Sequence, residues 1–413
     1  MERLRGNTSG EAKTMKKVRF GVVGVGGMGG FHVNSILKDS GREFCLAAVA
    51  DVVPEIARRV GEQAGVPHFG DAQKMYDSGL IDAVIIATPH YWHAPLAIRA
   101  ARAGLHVLCE KPLSASVGAA RAMLAECRKR RVTLGVMLQQ RTRPTMVKMK
   151  QLVEAGAIGK VFRVQMICSN WFRSQGYYDS GAWRGTWDGE GGGVLINQAP
   201  HSLDQFQWVG LGLPKRITAF LATREHKIEV EDTANIFCDY GGGRHGYIYA
   251  TTAEEPGMDQ IILSGDKATL IVDHHGLRLG KLKIPLAKHI YGTKKQDVIA
   301  SAFGGPKQQT TWTDVKIPDR GNRVQHIEII RGFTKEILTG KGAYACGEGA
   351  LNELEISNAA YLSGYLGKTI SLPVDGAAMD RLLAKLEKER STGRGQGARK
   401  KYYAEMKKLL AKK

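Results

Sequence analysis

Lys17-Val18-Arg19-Phe20-Gly21-Val22-Val23-Gly24-Val25-Gly26-Gly27-Met28-Gly29 reads as a strand that runs through a glycine turn into a helix, continued by Phe31, Ile36 and Leu37. The glycines spell G-x-G-x-x-G. Gly24 makes the tight turn, Gly26 leaves room for a pyrophosphate, and Gly29 lets the helix pack on the strand. Gly27 and Met28 open the helix and complete the expected cofactor loop. Alone, this motif is a weak signal; its companion is an acid closing the second strand about 20 residues on. Phe44 to Ala50 is such a strand, and Asp51 follows it. Asp51 is placed to bind the adenosine ribose hydroxyls and would repel a 2′-phosphate. No Arg follows it directly, so NAD is expected rather than NADP.

The alternation continues. Ala83 to Ala87 is a short apolar strand leading into Thr88-Pro89-His90-Tyr91-Trp92-His93, His106 to Cys109 leads into Glu110-Lys111-Pro112, and Thr133 to Leu138 is a further strand. Strands alternating with helices imply a parallel sheet with right-handed crossovers and a ligand at its C-terminal edge. Thr88, Pro89, His93, Glu110 and Lys111 belong to that edge and are the remaining cofactor candidates. Pro112 fixes the turn after Lys111, so the ammonium can be held over the nicotinamide end.

A chain of 413 residues exceeds what one core holds and suggests two domains. No apolar run approaches the ~20 residues that span a bilayer, so no membrane partner is expected. Met1 to Met15 is polar, lacks the apolar core of a signal peptide, and is expected to be a disordered extension. The six cysteines are scattered without a CxxC pair, which suits reduced thiols in a cytoplasm and neither a disulfide framework nor a metal site. Net charge is +19, but twelve Lys or Arg against three Glu fall between Arg381 and Lys413. That concentration reads as a solvated helical tail with solubility or oligomer-contact duties. No nucleic-acid motif accompanies it, and no nucleic-acid partner is expected.

After Leu138 the pattern changes. A link from Gln139 to Pro144 enters a helix (Val147 to Glu154), and strands then dominate: Val161 to Cys168, Ile217 to Ala222, Ala234 to Tyr240, Gly246 to Thr251, Gln260 to Leu263 and Ala268 to Val272. Without regular crossover helices these read as a largely antiparallel sheet. The fold class is therefore an α/β Rossmann domain (16–138) followed by an α+β domain with an open, mainly antiparallel sheet (139–375), with a basic helical tail (376–413). Residues 283–323 are irregular and read as a surface insertion or a lid. Val324 to Leu338 and Glu348 to Leu366 are helices expected at the domain junction.

Two stretches of the second domain carry chemistry. Trp171 to Arg184 is aromatic, polar and glycine-rich; aromatic faces stack on sugar rings while polar side chains read hydroxyls. Tyr177, Tyr178, Trp183 and Arg184 are its expected ligand neighbours, with Arg143 from the link. The second stretch runs from Gly191 to Asp204. Its triple glycine would let backbone approach a ligand at a helix N-terminus. In the helix expected to follow, Asn197, His201 and Asp204 fall at i, i+4 and i+7 on one face, with Pro200 as a kink or a first-turn proline.

Gly24-x-Gly26-x-x-Gly29, Glu110-Lys111-Pro112 and the Gly191–Asp204 stretch, in this order, resemble the glucose–fructose oxidoreductase/inositol dehydrogenase/MocA (Gfo/Idh/MocA) family. The resemblance covers roughly Lys16 to Pro373, and Glu231-Asp232-Thr233-Ala234 is similar to a stretch common there. It implies an open sheet that pairs between subunits, hence a dimer or tetramer, and redox chemistry on sugars or polyols. Family members commonly carry Asp where this chain has Asn197. The run Asn197-Gln198-Ala199-Pro200-His201 looks like a branch acting on glycosides, for which the inferred reaction is oxidation at the sugar C3.

Oxidising a secondary alcohol needs a base, a stabiliser for the developing alkoxide and a positioned nicotinamide. His201 is the expected proton acceptor and Lys111 the stabiliser. Asn197 can orient substrate but cannot accept a proton, which leaves His201 without a negative neighbour unless Asp204 substitutes. The competing readings are a glycoside-cleaving enzyme that retains NAD through oxidation, elimination and re-reduction, a non-catalytic NAD-binding sugar sensor, and a nucleic-acid binder built on the basic tail.

Overall fold

A computed structural model of the chain describes residues 17–411 other than 40, 42, 302–306, 319–324 and 343–346. The extension expected over residues 1–15 lies outside the described residues. Six strands, β1 (Val18–Val23), β2 (Phe44–Ala50), β3 (His68–Phe69), β4 (Ala83–Ile86), β5 (His106–Cys109) and β6 (Leu134–Val136), form a parallel sheet of order β3-β2-β1-β4-β5-β6. The crossovers are α1 (Gly27–Asp39), α2 (Pro54–Ala64), α3 (Ala72–Tyr76), α4 (His93–Arg102) and α5 (Val117–Arg130). Helices cover both faces, which is why β4 is buried at every residue and reads as unbroken apolar sequence. Strand order reverses between β1 and β4, and the crevice outside their C-terminal ends is the ligand position of such a sheet.

Helix α6 (Pro144–Glu154) leads into the second sheet, followed in the chain by β7 (Val161–Cys168), α7 (Gln175–Asp179), α8 (Pro200–Val209), β8 (Arg216–Ala222), β9 (Thr233–Gly241), β10 (Arg244–Thr251), β11 (Asp259–Gly265), β12 (Ala268–Asp273) and β13 (Gly276–Leu282). Then come α9 (Leu286–Gly292), α10 (Lys295–Ala300), β14 (Thr310–Asp314), α11 (His326–Thr339), α12 (Gly347–Leu366) and β15 (Ile370–Ser371). The sheet order is β14-β13-β12-β11-β7-β10-β9-β8-β15, antiparallel except where β7 meets β10. One face packs on α8 and α12, where Ser363 Oγ accepts the Ala219 N–H. The other face leaves Phe220 and Phe237 exposed, Phe237 beside Tyr247 at 5.2 Å between ring centroids.

Three expectations need correction. Residues 191–199 form successive turns, and the helix begins only at Pro200, which occupies its first position. Proline suits that place because its missing N–H is one the helix could not pair anyway. The described part of 283–323 lies at the surface but is not irregular: it is two short helices and an edge strand, β14, whose Trp312 ring covers Gly280. The basic tail is docked, not solvated. Helix α13 (Gly376–Arg390) packs on α5, and α14 (Ala398–Ala411) packs on α4, burying Tyr402, Met406 and Leu409. Those three residues share one helical face, and their apolar stripe holds the helix down while the lysines cover its outer side.

Candidate active site

The cofactor loop separates glycines by role. Gly24 turns with φ 82°, and a side chain there would meet Ala87 O at 2.8 Å; one at Gly29 would lie 1.9 Å from Gly24 O. Around Gly26 and Gly27 an added Cβ would meet nothing within 4 Å. Their open side is where a phosphate can reach the start of α1. Asp51 accepts the Val25 N–H on Oδ2 and the Val53 N–H on Oδ1, both at 2.9 Å. Met28, Val52 and Val53 are exposed, and the Thr88 hydroxyl is buried without a partner among the described residues. An open glycine lip, a carboxylate with lone pairs to spare, apolar flanks and an orphaned hydroxyl fit a dinucleotide.

Pro89 starts the short turn His90–Trp92 at this edge. His93 and Glu110, expected as cofactor contacts, instead turn inward. The His93 ring nitrogens lie 2.8 Å from Pro112 O and from Thr88 O, so the buried ring ties two edge loops together. Glu110 Oε1 is 2.6 Å from His32 Nε2, and Oε2 accepts the Lys111 N–H at 3.1 Å. Burial would raise this carboxyl, but the His32 bond and the Lys111 charge bring it down to about 2. It is an anion set beneath Lys111.

Lys111 Nζ donates to Asn197 O at 2.8 Å, which joins the parallel-sheet edge to the turn before α8. Burial lowers its ammonium, opposed by Glu110, Glu190 and Glu353. His201 lies in the first turn of α8, 6% exposed, and burial followed by the Lys111 charge pushes it down to about 3. It is a neutral imidazole at ordinary pH. Its Nε2 is 3.1 Å from Gln139 Nε2, while its buried Nδ1 has no partner among the described residues.

Asn197 Nδ2 donates to Glu190 Oε1 and to Tyr177 Oη, the latter at 3.3 Å. Tyr177 Oη also receives Arg184 Nη1 at 2.6 Å and Gln198 Nε2 at 3.3 Å. The Arg184 guanidinium lies 4.4 Å from the Tyr177 ring centroid and 4.5 Å from that of Trp183. Trp183 in turn meets His90 edge-on at 5.8 Å. Glu190 is 1% exposed, and burial raises its carboxyl to about 7 although the Gly185 N–H, Asn197 and Arg184 pull it down.

Lys111, Asn197, Tyr177, Trp183 and Arg184 thus gather through these contacts, with His201 within reach of the Lys111 charge, and two other expected members do not join them. Tyr178 is buried with its hydroxyl on Thr252 Oγ1 at 2.8 Å, which makes it a core side chain. Asp204 pairs with Arg141 on the inner side of α8, so the expected shared face of Asn197, His201 and Asp204 does not exist: Asn197 precedes the helix. Arg143 is exposed at the start of α6, its charge acting on His201 from outside. The triple glycine serves packing and not a ligand. Side chains there would strike Ala115 Cβ at 2.6 Å, Tyr361 Oη at 2.1 Å and Glu231 O at 1.8 Å. Glu231 accepts the Gly193 and Leu195 N–H groups and the Tyr361 hydroxyl, bracing the turns beneath Asn197.

Sequence reasoning passed over Gln139 and Glu190 and noted Glu231 only within the Glu231–Ala234 stretch. Position alone pointed to the first two, Gln139 directly after the last parallel strand and Glu190 directly before the glycines. Among the described residues no group of three His, Cys, Asp or Glu is arranged to hold a metal ion.

Residues 18–138 match the oxidoreductase family, NAD-binding Rossmann fold (GFO_IDH_MocA), and residues 146–271 match the GFO/IDH/MocA C-terminal domain. The rhizopine catabolism protein MocA of Rhizobium meliloti is 29% identical over 59% of this chain and 74% of its own length. The inositol 2-dehydrogenase of Rubrobacter xylanophilus is 33% identical over 47% of this chain and 52% of that enzyme, so the match spans about half of it. The WlbA dehydrogenase of Bordetella pertussis, solved with NADH and UDP-GlcNAcA, superposes with a TM-score of 0.72 at 27% identity, covering 87% of this chain and 100% of that one. With both halves matched and the cofactor loop and second sheet in place, the chain belongs to the Gfo/Idh/MocA family of NAD-dependent oxidoreductases.

Proposed function

We propose that the protein oxidises a secondary hydroxyl of a sugar, glycoside or polyol with NAD, the C3 hydroxyl of a hexoside being the favoured target. The observation that carries this reading is the bond from Lys111 Nζ to Asn197 O, which draws the parallel-sheet edge and the His201 turn into one place. Bound NAD supplies the hydride acceptor. His201, held neutral by burial, takes the hydroxyl proton, and the Lys111 ammonium steadies negative charge on the same oxygen. The Tyr177, Trp183 and Arg184 group offers aromatic faces and donors suited to a sugar ring. Asp51, whose charge opposes a 2′-phosphate, supports NAD over NADP.

The test is incubation of the purified protein with a panel of hexoses, inositols and glycosides, following NADH absorbance and product mass. NADH accumulating with loss of two hydrogens from the sugar is the expected result. Aglycone release without net NADH would replace it with a redox-assisted glycoside cleavage. NAD binding with silence on both readouts would leave a sugar sensor. The exposed Phe220 and Phe237 support a dimer or tetramer built on the open sheet face, to be read from the solution mass of the wild type and Phe237→Asp. The five described cysteines are free, which supports a reducing, cytoplasmic setting.

A further inference from the structure

We infer that Glu190 and Tyr177 lock the Asn197 amide with its oxygen toward the substrate, making Asn197 a hydrogen-bond acceptor for a sugar hydroxyl. The inference rests on the proposed sugar oxidation and assigns Glu190 as a positioning residue. A primary amide has two N–H donors and one acceptor oxygen, and the ionised Glu190 carboxylate, the form present above about pH 7, only accepts. Asn197 Nδ2 faces Glu190 Oε1 and Tyr177 Oη, so both of its hydrogens are spent. Glu190 cannot turn away, because its other oxygen holds the Gly185 N–H at 2.6 Å and the side chain is enclosed.

No described residue donates to Asn197 Oδ1, while the backbone oxygen of the same residue carries Lys111 Nζ. The half-buried Asn197 therefore shows an acceptor beside the ammonium that is proposed to hold the reacting oxygen. An amide in this pose performs the accepting part of a carboxylate's task without its charge. Tyr177 anchors the other side of the amide. Its Oη is met by Arg184, Asn197 and the Gln198 amide, so it is held in place beside Asn197. The Asn197 acceptor would read one sugar hydroxyl, and a sugar lacking that hydroxyl would be discriminated against.

The test is a two-residue cycle on the full-length enzyme, assayed above about pH 7 where Glu190 is ionised: wild type, Glu190→Gln, Asn197→Asp and the double variant. In E190Q the introduced amide oxygen satisfies Gly185 and its NH2 turns on Asn197, forcing that amide to rotate and present NH2 to the substrate. The expected loss in kcat/KM is roughly 10–100-fold, with NADH binding unchanged. Adding N197D restores an acceptor. The carboxylate so introduced accepts from the NH2 that E190Q places opposite it, and shows its second oxygen to the sugar. N197D is expected to raise kcat/KM at least about tenfold more in the E190Q background than in the native one. Equal factors in both backgrounds overturn the inference. Thermal midpoints of the four proteins give the same cycle without substrate. Coupling in stability with none in kcat/KM means Glu190 packs against Asn197 without orienting it, which also overturns it. A wild type inactive on every sugar removes the functional reading and this inference together, whereas an active wild type with no coupling removes the inference alone.

Discussion

Arg141 and Asp204 form a buried two-pronged ion pair, Nε donating to Oδ2 at 2.7 Å and Nη2 to Oδ1 at 2.5 Å. Arg141 sits in the turn after β6 and Asp204 one turn beyond His201, so the pair bolts the edge of the parallel domain to the helix that carries the proposed base. With side chains 5% and 2% exposed, neither charge has water to fall back on if its partner is removed. Asp204→Asn is expected to cost about 3–5 kcal/mol, read by urea unfolding. The folded fraction is expected to turn over with the wild-type pH profile. Full stability with lost turnover would return Asp204 to the chemistry.

Lys111→Met and His201→Asn test the reacting pair directly. Each is expected to lower kcat/KM by about 10²–10⁴. NADH fluorescence should still report binding in H201N, since His201 belongs to α8 and not to the glycine loop. Turnover surviving in H201N would move the proton to another acceptor.

Stability should depend on pH in a way set by buried groups of opposite sense. Burial first of all pushes His90 and His201 down to about 3 and His326 to about 4. The unfolded chain binds these protons below 6.5 and the native state does not, so stability is lost as pH falls. Burial raises Glu190 and Glu231 to about 7. The native state keeps those protons above 4.5, so stability is lost as pH rises from 4.5 to about 7. The two sets oppose between 4.5 and 6.5. Below 4.5 the histidines act without that opposition, joined by Glu110, whose low value adds an acid loss of its own. The thermal midpoint is expected to change little between about pH 5 and 7 and to drop steeply below about 4.5. A continuous rise toward acid would contradict the assignment.

The docked tail holds the candidate substrate loop from behind. Asp188 accepts the Gly397, Ala398 and Arg399 N–H groups at 2.5–3.1 Å, capping α14, and Glu229 binds both the Thr392 and the Trp187 N–H. Asp188 and Glu190 flank Gly189, one pointing to the tail and one to Asn197. Asp188→Ala should therefore cost about 1–2 kcal/mol as a lost cap and raise KM for the sugar more than it lowers kcat. Calorimetry and steady-state kinetics on one preparation check both. A raised KM is the informative half, because a cap on an independent helix would leave it alone.

The parallel domain was legible from local chemistry. A glycine turn between a strand and a helix, with Asp51 at the end of β2, admits few backbones, because Gly24 needs a positive φ and Gly29 a close approach. The β-branched and small residues of β4 and β5 announce strands buried on both faces, and Lys111 was placed by following them to their ends. These are short-range constraints, and spacing in the chain is enough to read them.

What spacing could not decide was the partner of each polar group. Asn197, His201 and Asp204 have helical intervals, yet Pro200 starts the helix and packing under Glu231 and Tyr361 shapes the turns before it. Whether Asp204 meets substrate or Arg141, whether His93 reaches a cofactor or two carbonyls, and whether a basic tail floats or docks are questions about residues 63, 19 and more than 200 positions apart. Charge and periodicity name the donors and acceptors that a chain carries. Only the fold settles which are spent on one another, because a buried polar group must find its partner wherever the packing brings one, and what remains unspent is left to the ligand.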